Sequence, residues 1–397
     1  MAVLINQGNR PLRTVAVRAR NTNEMIEFHQ PEGYDFCSIS IGSGTYGIVA
    51  RANGSHLDQS GNRISIELAV KKFRATTDAT RFATLIYREL KLLQHLDHPN
   101  ISRIVDLYTP AQCPDQLDQI YLVTEYVGST LDKHLIDQNE TNHRLPATII
   151  PNIIRDTLRA LQYLEAANVL HRDLSPSNLA INNSGKTVLI DFGLARTAKT
   201  ESDQLSPYTA NVCTFSYAAP EINFWHEGQY DREADIWSVG CILAELVTWE
   251  TLFKDARSKI IQSIELFGPI PPEFIQKARE ESHKKYMRDK NGTTAGVNMT
   301  EYFARSCKVP DLTVMQFIVV IDFLEECLKF NPDSRITINN ALRHPFLTPP
   351  HQIYVPEDHS QVQPLVYNDS ARSIEQWEET LFDEIQNFSA RSYTPRP

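Results

Sequence analysis

Several groups of residues have the types and spacing needed for phosphate chemistry. Gly42-Ser43-Gly44-Thr45-Tyr46-Gly47 spells G-x-G-x-x-G. In a dinucleotide-binding turn a helix opens at the third glycine. Here Ile48-Val49-Ala50-Arg51 continues as a strand, so the glycines belong to a β-hairpin, where bare main chain brings N–H groups close over phosphate oxygens. An ordinary glycine-containing hairpin has the same pattern, and the spacing alone does not separate the two. Ala69-Val70-Lys71 ends an alternating strand, and Glu89 follows 18 residues later on a helical run. An ammonium group near phosphate oxygens needs such a carboxylate to fix its position. His171-Arg172-Asp173-Leu174-Ser175-Pro176-Ser177-Asn178 sets a carboxylate that can take a proton, Asp173, five residues from an amide that can ligate Mg²⁺, Asn178. Asp191-Phe192-Gly193 begins 18 residues after Asp173, and Ala219-Pro220-Glu221 closes 30 residues beyond Asp191. Chance supplies any one of these short motifs; it does not supply all of them in this order and spacing.

The elements that must position them divide into a β-rich front and a helical back. From about Tyr34 to Val127 the pattern is strand-like, as in Ile64 to Lys72 and Gln119 to Thr124, with one helical run, Thr84 to Leu96. After Gly128, Ile149, Ile150, Ile153, Ile154, Leu158, Leu161 and Leu164 recur at helical spacing, and Asp235 to Trp249 is apolar almost all round, as a central helix would be. Residues 1–33 read as polar and irregular, and Asn53 to Arg63, Thr197 to Ala210 and Asn291 to Asn298 read as loops. This is an α+β protein. Its 397 residues exceed the roughly 250–300 that one core supports, so two lobes are expected.

Composition sets further bounds. Charged residues are 22% and apolar residues 42%, which excludes a disordered or collagen-like chain. A net charge of −10 argues against non-specific nucleic-acid binding. The six cysteines show no C-x-x-C spacing, as expected of reduced thiols without a zinc site. The opening Met1-Ala2-Val3-Leu4-Ile5 is too short for a signal segment, and Val314 to Leu328 carries Gln316, Asp322, Glu325 and Glu326, so no membrane span is expected. A soluble cytoplasmic or nuclear protein is the expectation.

Over about residues 34–347 the chain resembles the eukaryotic protein kinases, and within them a diverged MAP kinase of the stress-activated and osmosensing branch. Tyr87-Arg88-Glu89-Leu90-Lys91-Leu92-Leu93, Pro176-Ser177-Asn178-Leu179-Ala180 and Asp235-Ile236-Trp237-Ser238-Val239-Gly240-Cys241-Ile242 carry the likeness. The resemblance implies a bilobal kinase fold, with a small β-rich N-lobe over 34–127 and a larger helical C-lobe over 128–347. A 1–33 extension precedes them, and a 348–397 extension follows. Ile374, Trp377, Leu381, Ile385 and Phe388 in that tail form a helical stripe behind a Ser373/Gln376 capping box. The implied activity is transfer of the γ-phosphoryl group of Mg²⁺·ATP to Ser or Thr hydroxyls of protein substrates. The implied nucleotide site comprises Ile41, Gly42, Gly44, Gly47, Val49, Lys71, Thr124 as gatekeeper, and Glu125 and Val127 in the hinge. Lys71 pairs with Glu89, Asp173 is the base, Asn178 and Asp191 hold Mg²⁺, and Arg335 partners Glu221. A monomer is expected.

The chain also departs from the family. Ser175 replaces a lysine that would donate to the transferring phosphate, a loss worth about 10²–10³ in rate. Thr214 fits the position that supports Asp173 from the substrate loop. The Thr-x-Tyr phosphorylation pair falls on Thr209-Ala210-Asn211, so the tyrosine is missing, and its two arginine receptors are Phe215 and Ala218. Ala218 also removes an arginine that shapes a proline pocket for the substrate. Arg88, Arg172 and Arg196 remain to receive a phosphate on Thr209 from an upstream kinase, while Leu85 replaces a fourth. Ser202, Ser206 and Tyr208 are alternative sites. Glu357 and Asp358 form a reduced acidic docking patch, or simply a solvated pair of acids. These departures keep open the alternative of a pseudokinase or scaffold; a dinucleotide enzyme built on the glycine loop is the weakest reading.

Overall fold

The computed structural model describes every residue except 1–10, 21, 45–46, 58–62, 75–77, 142–144, 198–214, 226–230, 255, 292–298, 351, 371 and 389–397. The chain forms two compact units, one from residues 1–127 with 367–397 and the other from 128–366. The C-terminal segment therefore divides between the units at Val366 and Tyr367.

The first unit is built on β1 (Leu12–Arg18), β2 (Met25–Pro31), β3 (Asp35–Gly44), β4 (Gly47–Leu57), β5 (Arg63–Phe73), β6 (Ile104–Tyr108) and β7 (Tyr121–Glu125), in the order β2-β1-β3-β4-β5-β7-β6. The opening stretch is thus not irregular: β1 and β2 form an antiparallel hairpin that meets β3 through Arg18 and Ile39. Val17 and Phe28 anchor it in a core with Ala50, Leu68, Val70, Tyr121 and Val123. Nor is Asn53 to Arg63 a loop throughout. β4 runs on to Leu57 against the start of β5. Ala52 and Gly54 are buried while Asn53 and Ser55 face solvent, so a period of two lay hidden under polar composition.

Helix Ala79–His95 crosses this unit, capped by Asp78, whose carboxylate accepts from Arg81 N at 3.1 Å. The terminal helix Ile374–Gln386 packs on it. Ser373 and Gln376 form the expected capping box, and Trp377, Leu381 and Ile385 are buried. The Tyr87 ring lies 5.3 Å from that of Trp377 and 6.3 Å from that of Tyr367.

In the second unit, helix Ile150–Ala166 buries the periodic isoleucines and leucines, and helix Glu233–Thr248 is buried on nearly every face. Gly240 permits the close approach of helix Val314–Cys327, because a Cβ there would stand 2.8 Å from the Leu328 side chain. Short antiparallel pairs, Leu179–Ile181 with Thr187–Leu189 and Val169–Leu170 with Arg196–Thr197, frame the loop that carries His171 to Asn178. Among the described residues no helix is long and apolar enough to cross a membrane.

Candidate active site

In the first unit, β3 and β4 pair Gly42 with Val49, Ser43 with Ile48 and Gly44 with Gly47. The glycines therefore lie in a hairpin; Thr45 and Tyr46 lie outside the described residues. Packing demands only Gly47, where a Cβ would stand 2.6 Å from the Lys72 carbonyl oxygen. At Gly42 and Gly44 no described residue lies within 4 Å of a Cβ position. Packing among the described residues does not require those two glycines, and their open main chain fits an approaching phosphate.

Register aligns the next residues. Val49 sits opposite Lys71, and Ala69 opposite Thr124. Cross-strand neighbours project to one side, so these side chains share a face with the Lys71 ammonium. Lys71 Nζ donates to both Glu89 oxygens, at 2.7 and 2.9 Å. The Glu89 side chain is 3% exposed, and either charge left alone there would be costly. Ile41, half-buried, precedes Gly42 on β3. The stretch to Val127 is fixed by Glu125 N donating to the Arg103 carbonyl at 3.1 Å and Tyr126 N to the Glu67 carbonyl at 2.9 Å.

In the second unit, Asp235 of the buried helix accepts from His171 N at 3.0 Å and Arg172 N at 2.9 Å. Burial pushes its carboxyl group up, against the pull of His171 and these hydrogen bonds. Arg172 has φ of 68°, a left-handed conformation that a non-glycine residue keeps only where its surroundings hold it. Asp235 supplies that hold. His171 Nε2 lies 3.0 Å from the Asp191 carbonyl oxygen, and Asp191, at φ of 62°, accepts from Gly193 N at 3.1 Å. Asn178 Nδ2 donates to Asp173 at the backbone oxygen (2.8 Å) and at Oδ2 (3.1 Å), and Ile190 N donates to the Asn178 carbonyl at 2.9 Å. Asp173, Asn178 and the chain entering Asp191 are thereby tied together. With its amide nitrogen engaged, Asn178 could offer Oδ1 to a cation; Oδ1 and the Asp191 carboxylate are hard oxygen donors of the kind that suits a divalent metal.

Three contacts had no local sequence signal. Ser175 is 1% exposed and its hydroxyl lies 2.9 Å from that of Ser177. Arg88, marked for a phosphothreonine, has its Nε 2.5 Å from Asp369 Oδ2, 281 residues away. Glu357 is bridged by Arg159 at 3.2 Å, whereas Asp358 is exposed and held below the usual carboxylate range by hydrogen bonds from Ser360. Arg335 forks onto both Glu221 oxygens, at 2.5 and 2.8 Å, with both side chains almost wholly buried. Phe215 is half-buried and Ala218 buried; Glu201, Ser202, Asp203, Ser206, Tyr208, Thr209, Ala210, Asn211 and Thr214 lie outside the described residues.

The family model for the protein kinase domain matches residues 38–347. The chain is a protein kinase. It is similar to mitogen-activated protein kinase pmk-3 of Caenorhabditis elegans, 33% identical over 93% of this chain and 76% of that one. It is also similar to human mitogen-activated protein kinase 12, at 31% over 88% of this chain and 87% of that one, and to Drosophila melanogaster mitogen-activated protein kinase p38b, at 33% over 91% and 92%. The kinase belongs with the MAP kinases of the stress-activated branch, as a serine/threonine enzyme that uses ATP and a divalent metal; MAP kinases act on protein substrates and are activated by upstream kinases. The pseudokinase alternative finds no support in these likenesses.

Proposed function

We propose that this kinase transfers the γ-phosphoryl group of Mg²⁺·ATP to Ser or Thr hydroxyls through the residues described above. The main chain at Gly42, Gly44 and Gly47 covers the phosphates. Lys71, oriented by Glu89, holds the α- and β-phosphates, and Ile41, Val49, Thr124, Glu125 and Val127 receive the adenine. Asn178 and Asp191 hold Mg²⁺, which when bound neutralises charge on the phosphate oxygens. Asp173 orients the acceptor hydroxyl and takes its proton on the carboxylate. The observation that carries this reading is the closed Lys71–Glu89 pair at 2.7 Å. The Asp173–Asn178 tie in the other unit supports it. The kinase domain runs over 34–347 (N-lobe 34–127, C-lobe 128–347), between extensions 1–33 and 348–397, and the family match over 38–347 supports it. The protein works as a monomer in the cytoplasm, the nucleus or both. Its acidic docking role would rest on Glu357 and Asp358, with Asp358 the more exposed of the two.

The full chain should incorporate labelled phosphate from γ-labelled ATP into a generic acceptor protein only with Mg²⁺. Millimolar Mg²⁺·ATP should raise its melting temperature by mass action. A folded protein that does neither is not this enzyme.

Regulation by a single phosphate on Thr209 accompanies this reading. A phosphate brings nearly two negative charges, which must meet cations. The cations that the family resemblance offers to a phosphate on Thr209 are Arg88, Arg172 and Arg196, of which Arg88 already bears an ion pair with Asp369. Position 211 has no such role, since Asn211 accepts no phosphate. After exposure to an activating kinase, mass spectrometry should find phosphate on Thr209, and Thr209→Ala should lose the stimulation. Full stimulation of that variant rejects the single-site switch.

A further inference from the structure

The two residues before Glu89 on helix Ala79–His95 are held by the C-terminal segment of the same unit. The Tyr87 ring packs against those of Tyr367 and Trp377, and the Arg372 guanidinium lies 4.5 Å over the Trp377 ring and 5.6 Å over the Tyr87 ring. Arg88 Nε donates to Asp369 Oδ2 at 2.5 Å. Asp369 sits in a turn that is itself braced: Ser370 N donates to Asn368 Oδ1 at 3.0 Å, and Arg372 Nη2 to the Asn368 carbonyl at 3.2 Å. Farther along the helix, Lys91 pairs with Glu384. The terminal helix Ile374–Gln386 also packs on the Pro114–Gln116 turn and on β6, and β6 joins through β7 to β5, which carries Lys71. One segment therefore touches both the helix that bears Glu89 and the sheet that bears Lys71.

Burial decides which of these contacts matters to Glu89. The Arg88 side chain is 10% exposed and that of Lys91 is 28% exposed. A lysine that exposed can turn to water when its carboxylate is removed. An arginine as buried as Arg88 cannot rehydrate where it stands, and a buried charge left unpaired is costly. Without Asp369 it regains water only by shifting the backbone that bears it. Glu89 is the next residue, about 100° round the same helix, so a shift that carries Arg88 outward turns Glu89 away from Lys71. We infer that Asp369 is a positioning residue for phosphoryl transfer: through Arg88, its carboxylate fixes the rotation of helix Ala79–His95 at which Glu89 meets Lys71. The inference rests on the kinase reading for the work of Lys71, and on geometry alone for the hold on the helix.

Kinetics and hydrogen exchange on the full chain test this. Asp369→Asn keeps the shape of the side chain and removes its charge. Its kcat should fall about tenfold, an ordinary size for coupling between separate sites, and Asp369→Glu should restore most of the loss. Glu384→Gln breaks the more exposed pair on the same helix and should leave kcat within about twofold of wild type. The deciding comparison uses a Glu89→Gln background. If Asp369 acts through Glu89, adding Asp369→Asn there costs no further rate, whereas two unrelated structural losses multiply. Amide exchange over Ala83–Leu92 needs no turnover; it should be faster in Asp369→Asn than in wild type and slow again in Asp369→Glu. Should Asp369→Asn fail to fold, Asp369→Ser carries the same readouts. An unchanged kcat, losses that multiply, or an equal fall in Glu384→Gln overturns the inference. A wild type that transfers no phosphate, or one indifferent to Glu89→Gln, rejects the kinase reading instead. Equal exchange in wild type and Asp369→Asn rejects the hold on the helix whatever the kinetics.

Discussion

Asp173→Ala should lower phosphoryl transfer by about 10²–10⁴, the range for losing a positioned general base. The geometry limits what Asn178 loses. Asn178 Nδ2 loses Asp173 Oδ2 at 3.1 Å but keeps the backbone oxygen of the same residue at 2.8 Å. The loop itself stays held, because Asp235 clamps the His171 and Arg172 amides and not the Asp173 side chain. Folding and nucleotide binding should therefore survive, and the melting shift on adding Mg²⁺·ATP should match wild type. Asp173→Asn sharpens the test. Its amide oxygen can still accept from Asn178 but takes no proton from a hydroxyl, so this variant should be as slow as the alanine variant. An active Asn variant beside an inactive Ala variant would reduce Asp173 to a positioning residue. A loss below tenfold in both would remove it from the reaction.

What was legible in the sequence follows from how far apart the cooperating residues lie. Glycines in a hairpin, an acid and an amide five residues apart, or isoleucines at helical spacing are set by local backbone geometry, and their residue types announce them. The terminal stripe from Ile374 to Phe388 is legible for the same reason, and its helix buries Trp377, Leu381 and Ile385. β1 and β2 were not legible. Their side chains alternate only weakly, and the burial of Val17 and Phe28 depends on a sheet whose other strands come later in the chain. The Arg88–Asp369 and Arg159–Glu357 pairs were hidden because an ion pair between distant segments leaves no periodic trace. In each case the sequence named one partner for its chemistry, and the fold supplied the second. For Glu357 the pairing also changes the reading, since an acid already bridged by arginine has less charge to offer a basic docking segment.

Ser175→Lys should increase kcat, by up to about 10², because it returns a cationic donor to a loop whose family pattern carries one there. The gain should fall on kcat more than on KM for ATP, since the donor meets phosphate charge that changes in the transition state. Stability should move the other way. Ser175 is 1% exposed and shares its hydroxyl with Ser177 at 2.9 Å, so a lysine stem must displace that contact and carry its ammonium out toward solvent or phosphate. A lower melting temperature without nucleotide, partly recovered on adding Mg²⁺·ATP, is the expected signature of an ammonium that finds the phosphates. Ser177→Ala separates charge from packing: it breaks the serine pair and adds no cation, and should leave kcat within a few-fold of wild type. If Ser175→Lys is no faster than wild type while Ser177→Ala is much slower, the hydroxyl pair itself supports the Asp173 loop. The enzyme would then have rebuilt the site around two serines, and the missing lysine would not be what limits its rate.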